Sequence, residues 1–404
     1  MQPKKNAGNP RKTLEPDRGD RAPPSNRSLK GETSLKALII CIDGGDPAYF
    51  ETAPTPNLDR LGAEGQRLFV KAQMPTVTNV NNVSLICGGP PSMHGITANY
   101  FLNPETGEEV YMESGDFLLS PTLMEMGAAA GRRTAALASK KKLTDMIGKG
   151  ADTVITAEEP PEWLIDRAGP KEEIYSAEVN FWLLRAARAV VEEKAPELFY
   201  VTTTDFSQHK FGPETPEGQE HLSTIDEEIG RLADAWAGIH PEGAIFVTAD
   251  HGMRQKTRAI DPGVVLRGRG IAAEAVPIIK DRYVVHHGNQ GGAAYVHLGE
   301  GASLDEAAAI LNEVPGIDGA LPREEAAGRF RLLPARMGEI MVIADEDTVF
   351  GVMDEAEREV NLRSHGSVHE QTVPLFSWNA PFFDPGEEAS HYDAVRSVMN
   401  GLEG

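Results

Sequence analysis

The sequence is poor in cysteine and contains no long apolar run. Only Cys41 and Cys87 occur among its 404 residues, each inside an apolar segment, which favours core packing in a reducing compartment over a disulfide framework. No apolar stretch approaches the roughly 20 residues of a membrane span, and the first 35 residues lack the apolar stretch of a secretory signal. We therefore expect a cytoplasmic protein with no membrane-spanning segment.

Positive charge is also scarce. The chain has 39 Lys and Arg against 61 Asp and Glu, which gives a formal net charge of -22 at pH 7. A nucleic acid partner is excluded on this ground, because its phosphate backbone would be repelled. An anionic small molecule would need local attraction from metal ions and a few lysines.

The order of apolar patterns predicts an α/β fold. Residues 1–35 have almost no large apolar residues and are expected to form a disordered tail. Continuous apolar runs typical of buried strands occupy 37–42, 134–138, 197–202 and 244–249, and helical spacing covers 176–194 and 216–237. Strands that alternate with helices indicate a mostly parallel sheet sandwiched between helices.

The alternation becomes irregular after His251. We therefore expect a catalytic core formed by 36–261 and 336–404, with a smaller cap domain inserted at 262–335. The adjacent His286 and His287 would lie in this cap, and their role stays open. The oligomeric state also stays open, a homodimer included.

Polar residues follow several of the predicted strands. Each alone has an ordinary explanation, since an aspartate often caps a turn or helix and a buried histidine often completes a hydrogen bond. Carboxylates collected at one sheet edge would repel each other unless cations were bound. Three carboxylates and three imidazoles are enough ligands for two metal ions: Asp43, Asp205, His209, Asp250, His251 and His365.

The segment 74–99, MPTVTNVNNVSLICGGPPSMHGITAN, contains a threonine at the start of a predicted helix and an asparagine after a His-Gly-Ile turn. It resembles the nucleophile segment of phosphodiesterases and phosphonoacetate hydrolases in the alkaline phosphatase superfamily. The matching positions are Thr78 and Asn99. The ordinary alternative for Thr78 is a helix N-cap, and His94 is interpreted as a structural residue of the turn.

The resemblance to the phosphonoacetate hydrolase family is closer than that to the superfamily at large. It extends over the stretches TTDFSQHK at 203–210, TADHGM at 248–253, YVVHHG at 283–288 and RSHG at 363–366. It implies an alkaline-phosphatase-like fold and two Zn²⁺ ions per chain. One zinc site would consist of Asp205, His209 and His365. The other would consist of Asp43, Asp250, His251 and the Thr78 oxygen.

The run Lys140-Lys141-Lys142 follows the predicted strand at 134–138. A short basic run is ordinarily a solvated surface. In phosphonoacetate hydrolases two lysines separated by one residue contact the substrate, and Lys140 and Lys142 match them. The resemblance therefore implies that these two lysines bind a phosphonate substrate.

Together these resemblances imply zinc-dependent hydrolysis of the carbon–phosphorus bond of phosphonoacetate to acetate and phosphate. Thr78 would be the nucleophile and would form a phosphothreonine, while Asn99 holds phosphoryl oxygens. Other hypotheses stay open: a nucleotide phosphodiesterase or pyrophosphatase, a metal-dependent phosphosugar mutase, and a non-catalytic phosphonate-binding module. Manganese or iron would accept the same ligands as zinc.

Overall fold

A computed structural model describes residues 35–103, 106–280 and 288–403 of the chain. Apart from Leu35, the expected tail at 1–35 lies outside these residues, as do His286 and His287. The strands are β1 Ala37–Cys41, β2 Gln66–Lys71, β3 Tyr100–Leu102, β4 Glu109–Tyr111, β5 Thr134–Ala138, β6 Thr153–Thr156, β7 Leu198–Thr202, β8 Ala244–Thr248, β9 Arg254–Ile260, β10 Ala273–Pro277, β11 Ala293–Leu298, β12 Ile317–Pro322, β13 Ile340–Ala344, β14 Thr348–Phe350, β15 Glu357–Ser364 and β16 Thr372–Trp378. The α-helices are α1 Pro47–Thr52, α2 Pro56–Glu64, α3 Thr78–Cys87, α4 Pro91–His94, α5 Leu123–Ala129, α6 Lys141–Ile147, α7 Glu162–Ala168, α8 Glu178–Lys194, α9 Pro216–Ile239, α10 Pro262–Gly268, α11 Leu304–Asn312, α12 Arg323–Phe330 and α13 Asp393–Glu403.

The largest sheet has seven strands in the order β2-β16-β8-β1-β7-β5-β6. The five strands from β8 to β6 are parallel, whereas β16 runs antiparallel to both β8 and β2. All five residues of β1, β5, β7 and β8 are buried, as expected for strands covered on both faces. The four strands expected from the apolar runs are thus present and lie side by side.

Helices cover both faces of this sheet. Ile39 of β1 packs on one face with residues of α3, α5, α6 and α13, and its neighbours Leu38 and Ile40 pack on the other with residues of α2, α7, α8 and α9. This alternation follows from the period of two along a strand. Helix α9, which is 24 residues long, begins where the Thr215 side chain accepts a hydrogen bond from the Gly218 amide and Pro216 occupies its first turn.

A second sheet of four strands has the order β10-β11-β13-β12 and is antiparallel throughout. Three of its strands come from the segment 262–335, but β13, Ile340–Ala344, lies beyond the expected boundary at residue 335. The sheet therefore extends into the segment assigned to the core. The division into a core and a cap stays a prediction.

Two smaller sheets are also present among the described residues. Strands β14, β9 and β15 form one of them, and the hairpin of β3 and β4 forms the other. Within the described residues, no helix combines the length and the apolar character needed to cross a membrane.

Candidate active site

The carboxyl ends of four neighbouring strands meet at one edge of the large sheet. In the spatial order β8, β1, β7 and β5, the chain continues from these strands into Asp250, Asp43, Asp205 and Lys140. The ligand site of an open parallel sheet lies at this edge, because the loops there leave the strands in the same direction. His365 reaches it from the end of β15.

One group of candidate metal ligands consists of Asp205, His209 and His365, whose donor atoms lie within 4.8 Å of one another. The Oδ2 atom of Asp205 is 2.9 Å from the His209 Nε2 atom and 3.4 Å from the His365 Nε2 atom. His209 follows Asp205 by four residues, and its amide donates to the Asp205 carbonyl, so one turn of backbone places both side chains on the same side.

The second group consists of Asp43, Asp250 and His251, whose donor atoms also lie within 4.8 Å of one another. The Nε2 atom of His251 is 3.4 Å from the Asp43 Oδ1 atom and 3.6 Å from the Asp250 Oδ2 atom. The His251 and His365 rings stack at 3.7 Å between centroids, so the two groups share a boundary.

The three histidines are held in the tautomer that a metal ligand needs. The Nδ1 atom of each lies at hydrogen-bond distance from a backbone carbonyl: 2.7 Å from Arg363 for His209, 2.7 Å from Thr76 for His365 and 2.9 Å from Gly252 for His251. A carbonyl can only accept, so the proton is on Nδ1, and the Nε2 lone pair points into the group.

Burial and neighbouring charges shift the pKa values of the three buried aspartates. Burial, followed by the charge of Asp205, raises the pKa of Asp43 well above its ordinary value and that of Asp250 to about 7. Burial alone would also raise the pKa of Asp205, but His209 and His365 hold it well below its ordinary value. Bound cations would remove this repulsion.

The residues present fit two metal ions. The Oδ1 atom of Asp43 is buried and has no hydrogen-bond partner among the described residues, as expected of an oxygen reserved for a cation. Each group also combines carboxylate and imidazole donors, which suits zinc and neighbouring transition metals.

Thr78 is the first residue of α3 and faces the second group. Its Oγ1 atom is 3.3 Å from the His251 Nε2 atom. The helix N-cap is Val77, in an extended conformation, so the ordinary explanation of Thr78 as the N-cap is wrong. Its hydroxyl does not cap the helix and instead faces His251 at the positive end of the helix.

Thr76 ties the segment before α3 to the turn that carries His365. Its Oγ1 atom donates a hydrogen bond to the Ser367 carbonyl at 2.8 Å and accepts one from the Gly366 amide at 3.0 Å. The Thr76 carbonyl accepts a hydrogen bond from the Nδ1 atom of His365. Gly366 has a φ of +124°, and a Cβ atom there would lie 2.6 Å from the Gly292 nitrogen. A residue with a side chain is therefore excluded at this position of the turn.

An open cavity lies over both metal groups. The predicted site residues on its wall are Asp43, Thr78, Asn99, Lys140, Lys142, Asp205 and His365. Asp250 and His251 are fully buried behind it, and the side chain of His209, which is 5% exposed, lies beside Asp205. The structure thus brings all ten predicted site residues together.

The three consecutive lysines have different environments. Lys141 is exposed and pairs with Asp145 at 2.6 Å, whereas Lys140 and Lys142 line the cavity. The Lys142 Nζ atom lies 3.8 Å from a Glu113 oxygen. The ammonium group of Lys140 lies 5.0 Å from the centre of the Tyr175 ring. The flanking lysines are therefore the ones that face the cavity.

Sequence reasoning missed two polar residues of α3. Asn82 donates to the Asp250 Oδ2 atom and to the Thr78 carbonyl, both at 3.0 Å, and accepts from the Tyr200 hydroxyl at 2.8 Å. Asn79 lines the cavity beside Thr78. Both belong to the run Asn79-Val-Asn-Asn82, and the only available signal in the sequence is the density of asparagines there, which does not separate their roles.

His94, by contrast, takes the structural role expected for it. It is fully buried, its Nδ1 atom accepts from the Ile96 amide at 3.2 Å, and its Nε2 atom is 2.8 Å from the Ser84 hydroxyl. These contacts join the turn to helix α3.

The model of the type I phosphodiesterase / nucleotide pyrophosphatase family matches residues 37–368. Among curated relatives, ectonucleotide pyrophosphatase/phosphodiesterase family member 7 of Mus musculus is 22% identical over 250 residues, which are 54% of this chain and 50% of the relative. Venom phosphodiesterase of Naja atra is 26% identical over 227 residues, 54% of this chain and 26% of the relative. The matched region thus spans half or less of these relatives.

Solved structures extend the comparison to most of the chain. Phosphonoacetate hydrolase from Sinorhizobium meliloti 1021, solved in complex with phosphonoacetate, has a TM-score of 0.81 and 32% identity, with 91% of this chain and 95% of that chain covered. Human ectonucleotide pyrophosphatase / phosphodiesterase 5 has a TM-score of 0.66 at 19% identity with the same coverage, which shows a shared fold. The predicted fold class and the resemblance to phosphonoacetate hydrolases are confirmed.

Proposed function

The chain belongs to the type I phosphodiesterase / nucleotide pyrophosphatase family, a family of hydrolases, and we propose that its reaction is the zinc-dependent cleavage of the carbon–phosphorus bond of phosphonoacetate. The observation that carries the proposal is the position of Lys140 and Lys142, which line the same cavity as Thr78 and the two metal groups. The solved phosphonoacetate hydrolase of similar structure supports it.

The metal ligands would divide into two sets. Asp205, His209 and His365 would hold one zinc ion, while Asp43, Asp250, His251 and the Thr78 oxygen would hold the other. When bound, the ions supply Lewis acidity that lowers the pKa of a coordinated hydroxyl and neutralises charge on phosphoryl oxygens.

The Thr78 Oγ1 atom would attack phosphorus in line with the leaving carbon. An oxygen–phosphorus bond forms as the carbon–phosphorus bond breaks, and the electron pair of that bond passes to the carbon. The side chain of Asn99, on the cavity wall, would hold phosphoryl oxygens. Water then hydrolyses the phosphothreonine to phosphate and free Thr78, and protonation of the carbon gives acetate.

The leaving group explains the need for two lysines. A carbanion leaves readily only if its charge is spread, and an adjacent carboxylate spreads it as an enediolate. The ammonium groups of Lys140 and Lys142 would stabilise that charge. Two zinc ions bring four positive charges, which three aspartates and an ionised Thr78 cancel, so the charge of the substrate requires these further cations.

The composition of the cavity favours a small substrate over a nucleotide diester. Its apolar wall residues are Val77, Leu143 and Ile279, and among the described residues that line it there is no Phe, Tyr or Trp on which a base could stack. The family match keeps a nucleotide phosphodiesterase as the second candidate, with the same metals and the same nucleophile.

Phosphate release by the purified protein tests the proposal. Phosphonoacetate and a nucleotide diester are supplied in parallel, before chelation, after chelation and after zinc is restored. We expect zinc-dependent release from phosphonoacetate that far exceeds diester cleavage. Diester cleavage alone would refute carbon–phosphorus cleavage but keep the metals and Thr78, and phosphoryl transfer back to a sugar without net release would identify a mutase.

A further inference from the structure

Asn79 is a buried polar residue that the proposed reaction does not yet use. It is the second residue of α3, directly after Thr78, and only 4% of its surface is exposed. Its Nδ2 atom has no hydrogen-bond partner among the described residues. An amide donor buried without an acceptor is unfavourable for folding. Its acceptor is therefore expected to arrive with a ligand.

The other two asparagines of the same helix are fully engaged. Asn81 donates to the carbonyls of Gln73, Pro75 and Val77 at 3.1, 3.3 and 3.2 Å, and it accepts from the Gln73 amide at 2.6 Å. The amide of Asn82 donates to Asp250 and to the Thr78 carbonyl and accepts from Tyr200. The lack of a partner thus distinguishes Asn79 from buried amides in nearly the same environment.

Asn79 lies on the wall of the cavity together with Thr78, Asn99, Lys140 and Lys142. We propose that Asn79 is a substrate-binding residue whose Nδ2 atom donates a hydrogen bond to an anionic oxygen of the substrate. The nature of that substrate rests on the proposed function. The donor stands at the positive end of a ten-residue helix, where an anion is also favoured by the helix dipole.

Either end of a phosphonocarboxylate can provide the acceptor. If the acceptor is a phosphoryl oxygen, Asn79 binds the same group as Thr78 and Asn99. If it is a carboxylate oxygen, Asn79 binds the same group as Lys140 and Lys142. Both are charged acceptors, with which an amide forms a stronger hydrogen bond than with a neutral group. Ligands that have only one of these ends distinguish the two positions.

Three variants test the proposal. Asn79→Leu keeps a similar volume and removes the donor, and Asn79→Asp keeps the shape but replaces the donor with a negative charge. Asn81→Leu is the matched control, because it removes an amide whose partners are all within the protein. For each zinc-loaded variant we would measure the dissociation constant of orthophosphate by calorimetry, the KM for phosphonoacetate and the unfolding temperature.

We expect Asn79→Leu to weaken binding about 10- to 100-fold, as for a lost hydrogen bond to a charged group, and to leave the unfolding temperature within about 2 °C. Asn79→Asp should weaken binding further. Asn81→Leu should instead lower the unfolding temperature or prevent folding. Weaker binding of both ligands would assign the contact to the phosphoryl group, and weaker binding of phosphonoacetate alone would assign it to the carboxylate.

Unchanged constants for both ligands in Asn79→Leu would overturn the proposal, as would Asn79→Asp binding them as well as the unmodified protein does. The proposed function fails separately, if the unmodified protein releases no phosphate from phosphonoacetate. In that case the calorimetric dissociation constants of orthophosphate and of phosphonoacetate, compared between Asn79→Leu and the unmodified protein, still test Asn79.

Discussion

At the scale of single residues, the three consecutive lysines show how local structure divides side chains of the same type. Lys140 is the N-cap residue of α6, in an extended conformation, and Lys141 and Lys142 are the first two helical residues. Adjacent positions on a helix point in different directions, about 100° apart. Lys141 therefore turns to solvent and pairs with Asp145, while its neighbours face the cavity.

This arrangement predicts different effects for three matched substitutions. Lys140→Met and Lys142→Met should each lower kcat/KM for phosphonoacetate about 10- to 1000-fold, because each removes a cation that faces the leaving carboxylate. Lys141→Met should stay within about twofold of the unmodified enzyme, since an exposed ion pair contributes little. Steady-state kinetics on the three variants would measure this. Equal losses in all three would contradict the roles given to the flanking lysines.

The nucleophile makes a second prediction at this scale. Thr78→Ala should abolish turnover, because no oxygen remains to attack phosphorus. Bound zinc should stay close to two ions per chain, because six other ligands remain in place. Elemental analysis and phosphate release on the same sample would test both halves. Turnover at the unmodified rate would show that another residue is the nucleophile.

The ligand residues could be predicted from sequence, whereas their supporting residues could not. Asp43, Asp205 and Asp250 follow apolar runs, and the order of these runs is enough to place them at one edge of a sheet. Asn82 and Asn79 have no such pattern, because the partner of a buried amide is decided by distant backbone and side chains. The engaged and the unpartnered amide look the same in the sequence.

At the scale of elements, the segment before α3 and the turn after β15 act as one unit. Thr76 and Gly366 are 290 residues apart in the chain. The side chain and the carbonyl of Thr76 nevertheless make three hydrogen bonds with this turn. The nucleophile's helix and the ligand His365 are thus positioned by the same few hydrogen bonds.

Thr76→Val should remove the hydroxyl hydrogen bonds between the two elements while leaving the side-chain volume nearly unchanged. It leaves the Gly366 amide and the Ser367 carbonyl without their partner, and an unsatisfied buried group costs about 1–3 kcal/mol of unfolding free energy. Zinc affinity should fall about 10- to 100-fold, as for other lost contacts that support a metal ligand.

Denaturant unfolding and zinc titration would measure the two effects of Thr76→Val. Thr52→Val is the control, because the Thr52 hydroxyl bonds only within its own exposed helix end. It should change the unfolding free energy by less than about 0.5 kcal/mol. The same zinc affinity in Thr76→Val as in the unmodified protein would show that Thr76 does not orient His365.

Elements with strong local patterns were predictable, and those that depend on pairing were not. The apolar runs at β1, β5, β7 and β8 are typical of parallel strands buried on both faces. The antiparallel insertion of β16 between β2 and β8 has no local signature, because it depends on which edge remains open once the parallel strands are formed. The sequence of strand β13 likewise does not show which strands it pairs with. It was therefore expected in the core, whereas its partners are in the second sheet.

At the scale of the whole molecule, three buried histidines outside the metal groups link stability to pH. Burial lowers the pKa of His94 and His391 to about 3 and that of His221 to about 4, from an ordinary value of 6.5. At pH values between the folded-state pKa and 6.5, these histidines bind protons in the unfolded chain but not in the folded chain. The folded state therefore loses stability as the pH falls from about 6.5 towards 3.

Each such histidine contributes a slope of about 1.4 kcal/mol per pH unit in this range. His391→Phe should reduce the pH dependence of the unfolding free energy by about that amount between pH 6 and about 4. Denaturant titrations of both proteins at several pH values would measure the difference, in which contributions from the metal ligands cancel. An identical slope in the two proteins would show that His391 does not resist protonation.

The spread of the site along the chain has a consequence for biosynthesis. Asp43 and Thr78 leave the ribosome about 290 residues or more before His365. Strand β16, which lies between β2 and β8, ends still later, at Trp378. A nascent chain that has exposed the first parallel strands still has an open sheet edge and lacks one ligand of the Asp205 group. Metal captured at that stage would be held by a partial set of donors, so correct metallation has to wait until His365 has been synthesised.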